Sequence, residues 1–384
     1  MTRHLLRTRE GHESGRVGYI ELFFDLVFVF AVTQLSHALI HHFSLAGALQ
    51  TLVLMLAVWW VWIYTSWVTN WLDPERLPVR LALMVLMLLG LLLSATIPQA
   101  FEERGLLFAG AYVAMQVGRT LFFLWAVRGR PGMVANFQRI LVWLAASGLL
   151  WIGGGLAGHG ERLAWWALAL ALEYAGPSLG FRVPGLGRSS TADWDVAGGH
   201  LAERCALFII IALGESILVT GATVAGMEWN GITLAAFAVS FVGSLTMWWL
   251  YFDAAAETGS HTIAHAQDPG RVARLAYTYI HLLPVAGIIL SAVADELVLK
   301  HPLGHTEPGV AAVILGSTAL YLLGTYLFRC AIARRTQQVP LLAVIALLLL
   351  GPVATSMPPL ALSAAGTLVL LGVAGWDARS RKTS

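Results

Sequence analysis

With 384 residues, 58% of them hydrophobic and only 12% charged, and a mean hydropathy of +0.72, the chain is too apolar for a soluble domain and reads as an integral membrane protein. A net charge of +2 and two cysteines, Cys205 and Cys330, with no CxxC pair, exclude a disulfide framework and a zinc ribbon and give no sign of nucleic-acid binding. Apolar runs of about 20 residues, the length of a membrane-crossing helix, argue against a β-barrel, whose spans alternate over about ten.

The expected fold is an all-α integral membrane protein of about twelve transmembrane helices. Six spans fall near 18–40, 46–69, 79–99, 105–127, 138–157 and 161–180, and six more near 200–225, 231–254, 271–296, 308–330, 338–355 and 358–377. The first lacks an A-x-A-like cleavage site and starts with acids, so it is read as a retained span. The sixth is cut short by "ALEYAGPSLGF". Alternate loops and both termini hold 19 of the 24 Lys and Arg, whereas the opposite loops hold Arg104, Arg162 and Lys300, with Arg119 and Arg204 inside spans. That asymmetry places both termini in the cytoplasm.

Two stretches resemble each other. "WWVWIYTSWVTNWLDPERLPVRLALM", from Trp59, recurs loosely from Trp248: the Trp pairs lie 189 residues apart, Asp73-Pro74 and Asp268-Pro269 lie 195 apart, and Arg80 and Arg274 lie 194 apart. Glu21 precedes Glu203 by 182. This spacing, near half the chain, predicts two parallel six-helix repeats: residues 1–180, a Gly-, Pro- and Ser-rich cytoplasmic linker at 181–199, and residues 200–384. Parallel repeats with a site at their interface are a transporter architecture. The linker glycines form no phosphate-cradling motif.

Ionisable residues inside spans are candidates for function by default. They are Glu21 and Asp25 on helix 1, Arg119 on helix 4, Glu173 on helix 6, His200, Glu203, Arg204 and Glu215 on helix 7, and His281 on helix 9. At 100° per residue the helix 1 acids share a face and the helix 7 residues fall within an arc of about 120°, so the two polar stripes are expected to face each other. Five acids against two arginines leave the set short of positive charge. Either some carboxylates are protonated or a cation completes the site. The plainer readings are that first-turn acids serve the helix dipole, that Arg204 snorkels, that Glu173 sits at a helix end, and that His281 packs beside a kink at Pro284. Glu215, at mid-span, has no such reading, and Arg119 is expected to pair with an internal acid.

His37 with His41, His261 with His265 and His301 with His305 have i, i+4 spacing but no convincing third ligand, so no metal site is expected. The 15 Trp are read mostly as interfacial anchors.

"ELFFDLVFVFAVTQLSH" and "HLAERCALFIIIALGESIL" closely resemble the two signature segments of the bacterial low temperature requirement protein A family, and "DPERLPVRLALMVLMLLGLLLSATIPQAF" and "AYVAMQVGRTLFFLWAV" are similar to its intervening helices. The resemblance covers nearly the whole chain. It implies a polytopic protein of the bacterial cytoplasmic membrane associated with growth in the cold, and supplies no substrate, reaction or cofactor. Matching positions are Glu21, Asp25, Gln34, His37, His200, Glu203, Arg204, Gly214, Glu215 and Ser216. Cys205 stands where a polar residue or histidine is expected, which speaks against a thiol role.

The leading expectation is a proton- or cation-coupled secondary transporter of a small molecule. Glu215 and Asp25 would carry coupling, Arg119 or Arg204 the counter-charge, and Glu21, Glu203 and His200 the entry. The alternatives are an intramembrane lipid-modifying enzyme, for which no catalytic or metal motif is present, and a membrane sensor of temperature or pH, for which no output domain is recognisable.

Overall fold

A computed structural model describes residues 5–7, 17–191, 194–253, 262–263, 266–332 and 338–382. The expected pair His261–His265 lies outside the described residues. Every regular element among those described is helical, and the only extended pairings are isolated bridges, Leu6 with Leu72 and Val183 with Gly187.

The helices are α1 (Tyr19–His41), α2 (Leu45–Trp71), α3 (Leu77–Thr96), α4 (Gly105–Ala126), α5 (Pro131–Leu156), α6 (His159–Ser178), α7 (Gly198–Ala225), α8 (Gly231–Tyr251), α9 (Pro269–Lys300), α10 (Pro308–Ile332), α11 (Val339–Ala354) and α12 (Pro359–Lys382). Their starts carry recognisable signals. Ser44 accepts from Gly47 N ahead of α2, and Asn230 accepts from Ile232 N and Thr233 N ahead of α8. Pro131, Pro308 and Pro359 open α5, α10 and α12, where a missing N–H costs nothing. Among the described residues ten helices are long and apolar enough to cross a membrane. The other two of the twelve expected spans are α6, whose "HGERLAWW" start is polar, and α11, which has only 16 residues.

The chain divides into two compact units, Met1–Arg204 with Gln267–Arg274, and Cys205–Ala266 with Leu275–Ser384. In the first, α1 packs on α2 and α3, α4 on α3 and α5, α5 on α6, and α2 on both α4 and α6. Leu81, Val85, Leu88 and Leu92 make an exposed apolar stripe along α3, as a lipid-facing surface requires. After α6 the chain turns through Gly180 and Phe181, both at positive φ. A Cβ on Gly180 would lie 2.6 Å from the Ser189 carbonyl oxygen, so glycine permits both the turn and the close return. The segment that follows is anchored on α5: Arg139 donates to Leu186 O and Ser189 Oγ, and Trp143 Nε1 to Arg182 O.

In the second unit α10 packs on α9 and α11, and α8 on α12. Gly287 and Gly324 let α9 and α10 touch backbone to backbone. A Cβ on Gly287 would lie 2.6 Å from Tyr321 N, and one on Gly324 would lie 2.5 Å from Pro284 Cδ. Residues Ala273–Ile280 of α9 are π-helical, with His281 N bonded to Ala276 O at 3.0 Å. The widened turn precedes Pro284, which has no N–H to continue the ladder.

Tryptophan corrects one expectation. Trp59, Trp60, Trp62, Trp151 and Trp166 are fully buried inside the protein and so do not face lipid as anchors. Trp248 and Trp249, their counterparts in the repeated stretch, are 42% and 46% exposed. Sequence likeness is thus not matched by like environment at this pair.

Candidate functional site

Two i, i+4 pairs interlock in the first unit. Glu21 and Asp25 stand one turn apart on α1, and His200 and Arg204 one turn apart at the start of α7. All four are buried. Glu21 Oε1 accepts from His200 Nε2 at 2.9 Å and from the Arg204 guanidinium at 3.0 Å. Its Oε2 accepts from Arg7 at 2.6 Å and from Gly18 N at 2.9 Å. The helix-capping role of a first-turn acid is therefore real, and it uses one of four contacts. Asp25 Oδ1 accepts from Arg204 at 2.7 Å and from Trp62 Nε1 at 2.8 Å. Asp25 Oδ2 and Arg204 Nε, both buried, have no hydrogen-bond partner among the described residues.

Two residues outside the expected set complete the cluster. Arg7 is positioned because Leu5–Arg7 runs beside the end of α2: Arg7 N bonds Trp71 O, Asp73 N bonds Leu5 O, and Arg7 Nε caps Thr69 O at 2.8 Å. Asn70 exchanges two 2.8 Å hydrogen bonds with the Ala197 backbone, which fixes its amide. That amide nitrogen faces His200 Nδ1 at 3.3 Å, so Nδ1 is the accepting nitrogen and Nε2–H donates to Glu21. Arg7 and Arg204 balance Glu21 and Asp25. The expected shortage of positive charge does not apply to this cluster, because Arg7 joins it while Glu203 is exposed and Glu173 and Glu215 lie outside it.

Arg119 and Glu173 form a separate cluster in the same unit. Glu173 accepts from Ser147 at 2.7 Å and Trp151 at 2.9 Å on one oxygen, and from Tyr112 at 2.5 Å and Gln116 at 3.2 Å on the other. It is not at an exposed helix end; four neutral donors from α4 and α5 surround it. Arg119 donates to Val61 O, Thr65 Oγ1 and Gln116 Oε1 and lies over the Tyr64 ring. Its expected partnership with an acid is thus indirect: Gln116 stands between Arg119 and Glu173, and the structure shows no ion pair joining them. Both clusters hang on α2, through Trp62 and Asn70 for one and Val61 and Thr65 for the other.

Glu203 departs from the expected stripe. It is exposed, and its carboxylate accepts from Val17 N at 3.2 Å. Its neighbour Arg204 points into the core, because adjacent helical residues diverge by 100°. Glu215 is buried in the second unit. Near it in the sequence, Ser216 bridges Ser244 at 2.9 Å and Asp295 at 3.2 Å. Asp295, buried on α9, was missed because it falls beside Glu296 at the expected end of its span. His281 is buried among Tyr251, Tyr277 and Phe328, with Nε2 3.3 Å from Cys205 O, a packing role as expected. His37, His41, His301 and His305 are exposed. Among the described residues no group of three or more His, Cys, Asp or Glu is placed to hold a metal.

The family model described as bacterial low temperature requirement A protein matches residues 16–375. An uncharacterised protein of Rhizobium meliloti (strain 1021) is 41% identical over 379 residues, covering 97% of this chain and 91% of its own length. No solved structure matches. The matched range holds every residue of the buried cluster except Arg7.

Proposed function

We propose that this chain, which belongs to the bacterial low temperature requirement A family, is a multi-pass membrane transporter that couples movement of a small solute to protons or cations at Asp25. The observation that carries the reading is the half-satisfied Asp25. One oxygen is held by Arg204 and Trp62, and the other is buried with no partner among the described residues. An ionised carboxylate that only braced the fold would be expected to have both oxygens engaged, since a buried polar atom left unpaired is costly.

The charge balance says how coupling would work. A proton or cation arriving at Asp25 competes with Arg204 for the same carboxylate, and Arg204 already has a second acceptor in Glu21. Two arrangements of one arginine follow, and an ion that binds one of them better shifts the population. His200, bonded to Glu21, stands beside the carboxylate that would receive Arg204. In this reading residues 1–180 and 200–384 are parallel repeats joined by 181–199, with both termini cytoplasmic. Glu215 is assigned a coupling role in the second repeat.

The test uses purified protein in liposomes containing a pH-sensitive dye, supplied with radiolabelled amino acids, organic acids and monovalent cations under imposed proton or sodium gradients. The expected result is accumulation of one solute class that follows the gradient, with Asp25→Asn moving the solute but no longer concentrating it. Uptake that is equally fast with every gradient collapsed by ionophores, in wild type and variant alike, refutes the coupling.

A further inference from the structure

Asp295 is a buried carboxylate inside the apolar span Pro269–Lys300 of the second unit. Among the described residues no Lys, Arg or His pairs with it: Lys300, five positions on, holds Glu296 at 2.5 Å, and Arg329 holds Asp377 at 2.7 Å. An ionised carboxylate left alone in such a place is costly, so a proton or a cation neutralises it.

What surrounds Asp295 is oxygen. Ser216 of α7 donates to its Oδ2 at 3.2 Å, and Ser244 of α8 meets the Ser216 hydroxyl at 2.9 Å. Ser240, one turn before Ser244 on the same face of α8, has its hydroxyl beside the Asp295 carboxylate. Asp295 and the three serines are each at most 5% exposed. We propose that these four side chains, all within the second unit, form a binding site for a small dehydrated monovalent cation, sodium or lithium.

Ser240 decides between proton and cation. Its buried Oγ lies next to Asp295 yet has no hydrogen-bond partner among the described residues. A proton on Asp295 needs a single acceptor and leaves that hydroxyl as it is. A cation takes lone pairs from the carboxylate and the three hydroxyls together, which relieves the unpaired oxygen and the unpaired charge at once.

The separations fit an ion of this size. Two oxygens at right angles, each about 2.4 Å from a shared ion as around calcium, stand about 3.4 Å apart. The 3.2 Å and 2.9 Å contacts approach that spacing, so sodium, close to calcium in size, enters with small rotations of the hydroxyls. One carboxylate balances one positive charge. Calcium sites draw on further carboxylates, and Asp295 belongs to no group of three or more His, Cys, Asp or Glu placed to hold a metal among the described residues. The site is separate from coupling at Asp25, which lies in the first unit, and it stands whether or not the protein moves a solute.

Full-length protein in an uncharged maltoside detergent is melted in sodium, lithium, potassium or choline chloride at equal ionic strength and mildly alkaline pH. Sodium is also titrated by calorimetry into protein held in choline chloride. The expected result is a saturable rise in melting temperature with sodium or lithium, less with the larger potassium ion, and none with choline. Asp295→Asn keeps the shape of the side chain and an acceptor for Ser216, and is expected to lose the sodium response without melting earlier in choline. Ser240→Ala is expected to weaken sodium binding about tenfold. Its melting temperature in choline is expected to match the wild type, because no hydrogen bond is lost.

Asp25→Asn is expected to keep the full sodium response, which separates this site from the transport reading. Equal melting of the wild type in all four salts overturns the proposal, as does a sodium response unchanged in both Asp295→Asn and Ser240→Ala. A response lost in Asp25→Asn but kept in Asp295→Asn places the cation in the first unit and also overturns it.

Discussion

Replacing Arg204 with Met keeps an unbranched, flexible stem and removes the guanidinium and its charge. In the wild type Arg204 reaches Glu21 at 3.0 Å and Asp25 at 2.7 Å, and all three groups are buried. The two acids are not left equally exposed by the change. Glu21 retains His200, Arg7 and Gly18 N, whereas Asp25 retains only Trp62 Nε1. Removing one partner of a buried pair costs about 3–5 kcal/mol, because the remaining charge is uncompensated. Most of that cost should sit on Asp25. A second change, Asp25→Asn, should therefore recover part of it, making the double variant more stable than the sum of the single losses by about 2 kcal/mol. Glu21→Gln in the same background should recover less, since Arg7 still holds Glu21. Equilibrium unfolding in mixed micelles of sodium dodecyl sulfate and a mild detergent, followed by tryptophan fluorescence, measures all these variants. Losses of Arg204→Met and Asp25→Asn that add to within about 0.5 kcal/mol would show that the pair is not coupled and refute the reasoning.

Gly287→Ala and Gly324→Ala should each destabilise the second unit by about 1–3 kcal/mol, the usual cost of overpacking, because the new methyl meets backbone or proline ring atoms at 2.5–2.6 Å; thermal melting in detergent reads this. Glu173→Leu should cost more than Glu173→Gln, since leucine strands Tyr112, Gln116, Ser147 and Trp151 together, at about 1–3 kcal/mol for each donor left unpaired. Arg162→Lys should lower the melting temperature although charge is kept. Arg162 donates to the carbonyls of Ala100, Glu102, Gly154, Gly155 and Ala157, and an ammonium with three donors cannot serve five acceptors divided between the α3–α4 connection and the end of α5.

What could be read in the sequence follows from how strongly lipid constrains the chain. Span ends fall within a few residues of the helix ends for α1, α2, α4 and α8, because apolar length is set by the bilayer and polar caps mark where it stops. The pairing of Glu21 and Asp25 with His200 and Arg204 was visible as two polar faces at helical spacing. Arg7 was not: it lies in an irregular segment with no periodicity, and its place depends on a backbone pairing to residues 71–73. Trp62 and Trp151 misled for another reason. Composition assigns tryptophan to interfaces, whereas these two indoles are drawn inward by the carboxylates they bond. Glu203 shows the limit of an arc argument, since a helix face of 120° is wide enough to include a neighbour that points to the surface.

The two acidic clusters on α2 differ in a way that separates bracing from working chemistry. Glu173 has both oxygens engaged by four neutral donors fixed on α4 and α5, so any displacement breaks several hydrogen bonds together. Its cluster binds three helices of the first unit and gives the carboxylate one stable arrangement. Asp25 has a single engaged oxygen, and the arginine that engages it has a second acceptor within reach. Asp25→Asn should accordingly be tolerated by the fold while abolishing gradient-driven accumulation in liposomes. Glu173→Gln should behave in reverse, lowering the melting temperature while leaving the accumulation ratio of the folded fraction unchanged. If instead Glu173→Gln abolishes accumulation at unchanged stability, the working carboxylate is on α6 and the assignment to α1 is wrong.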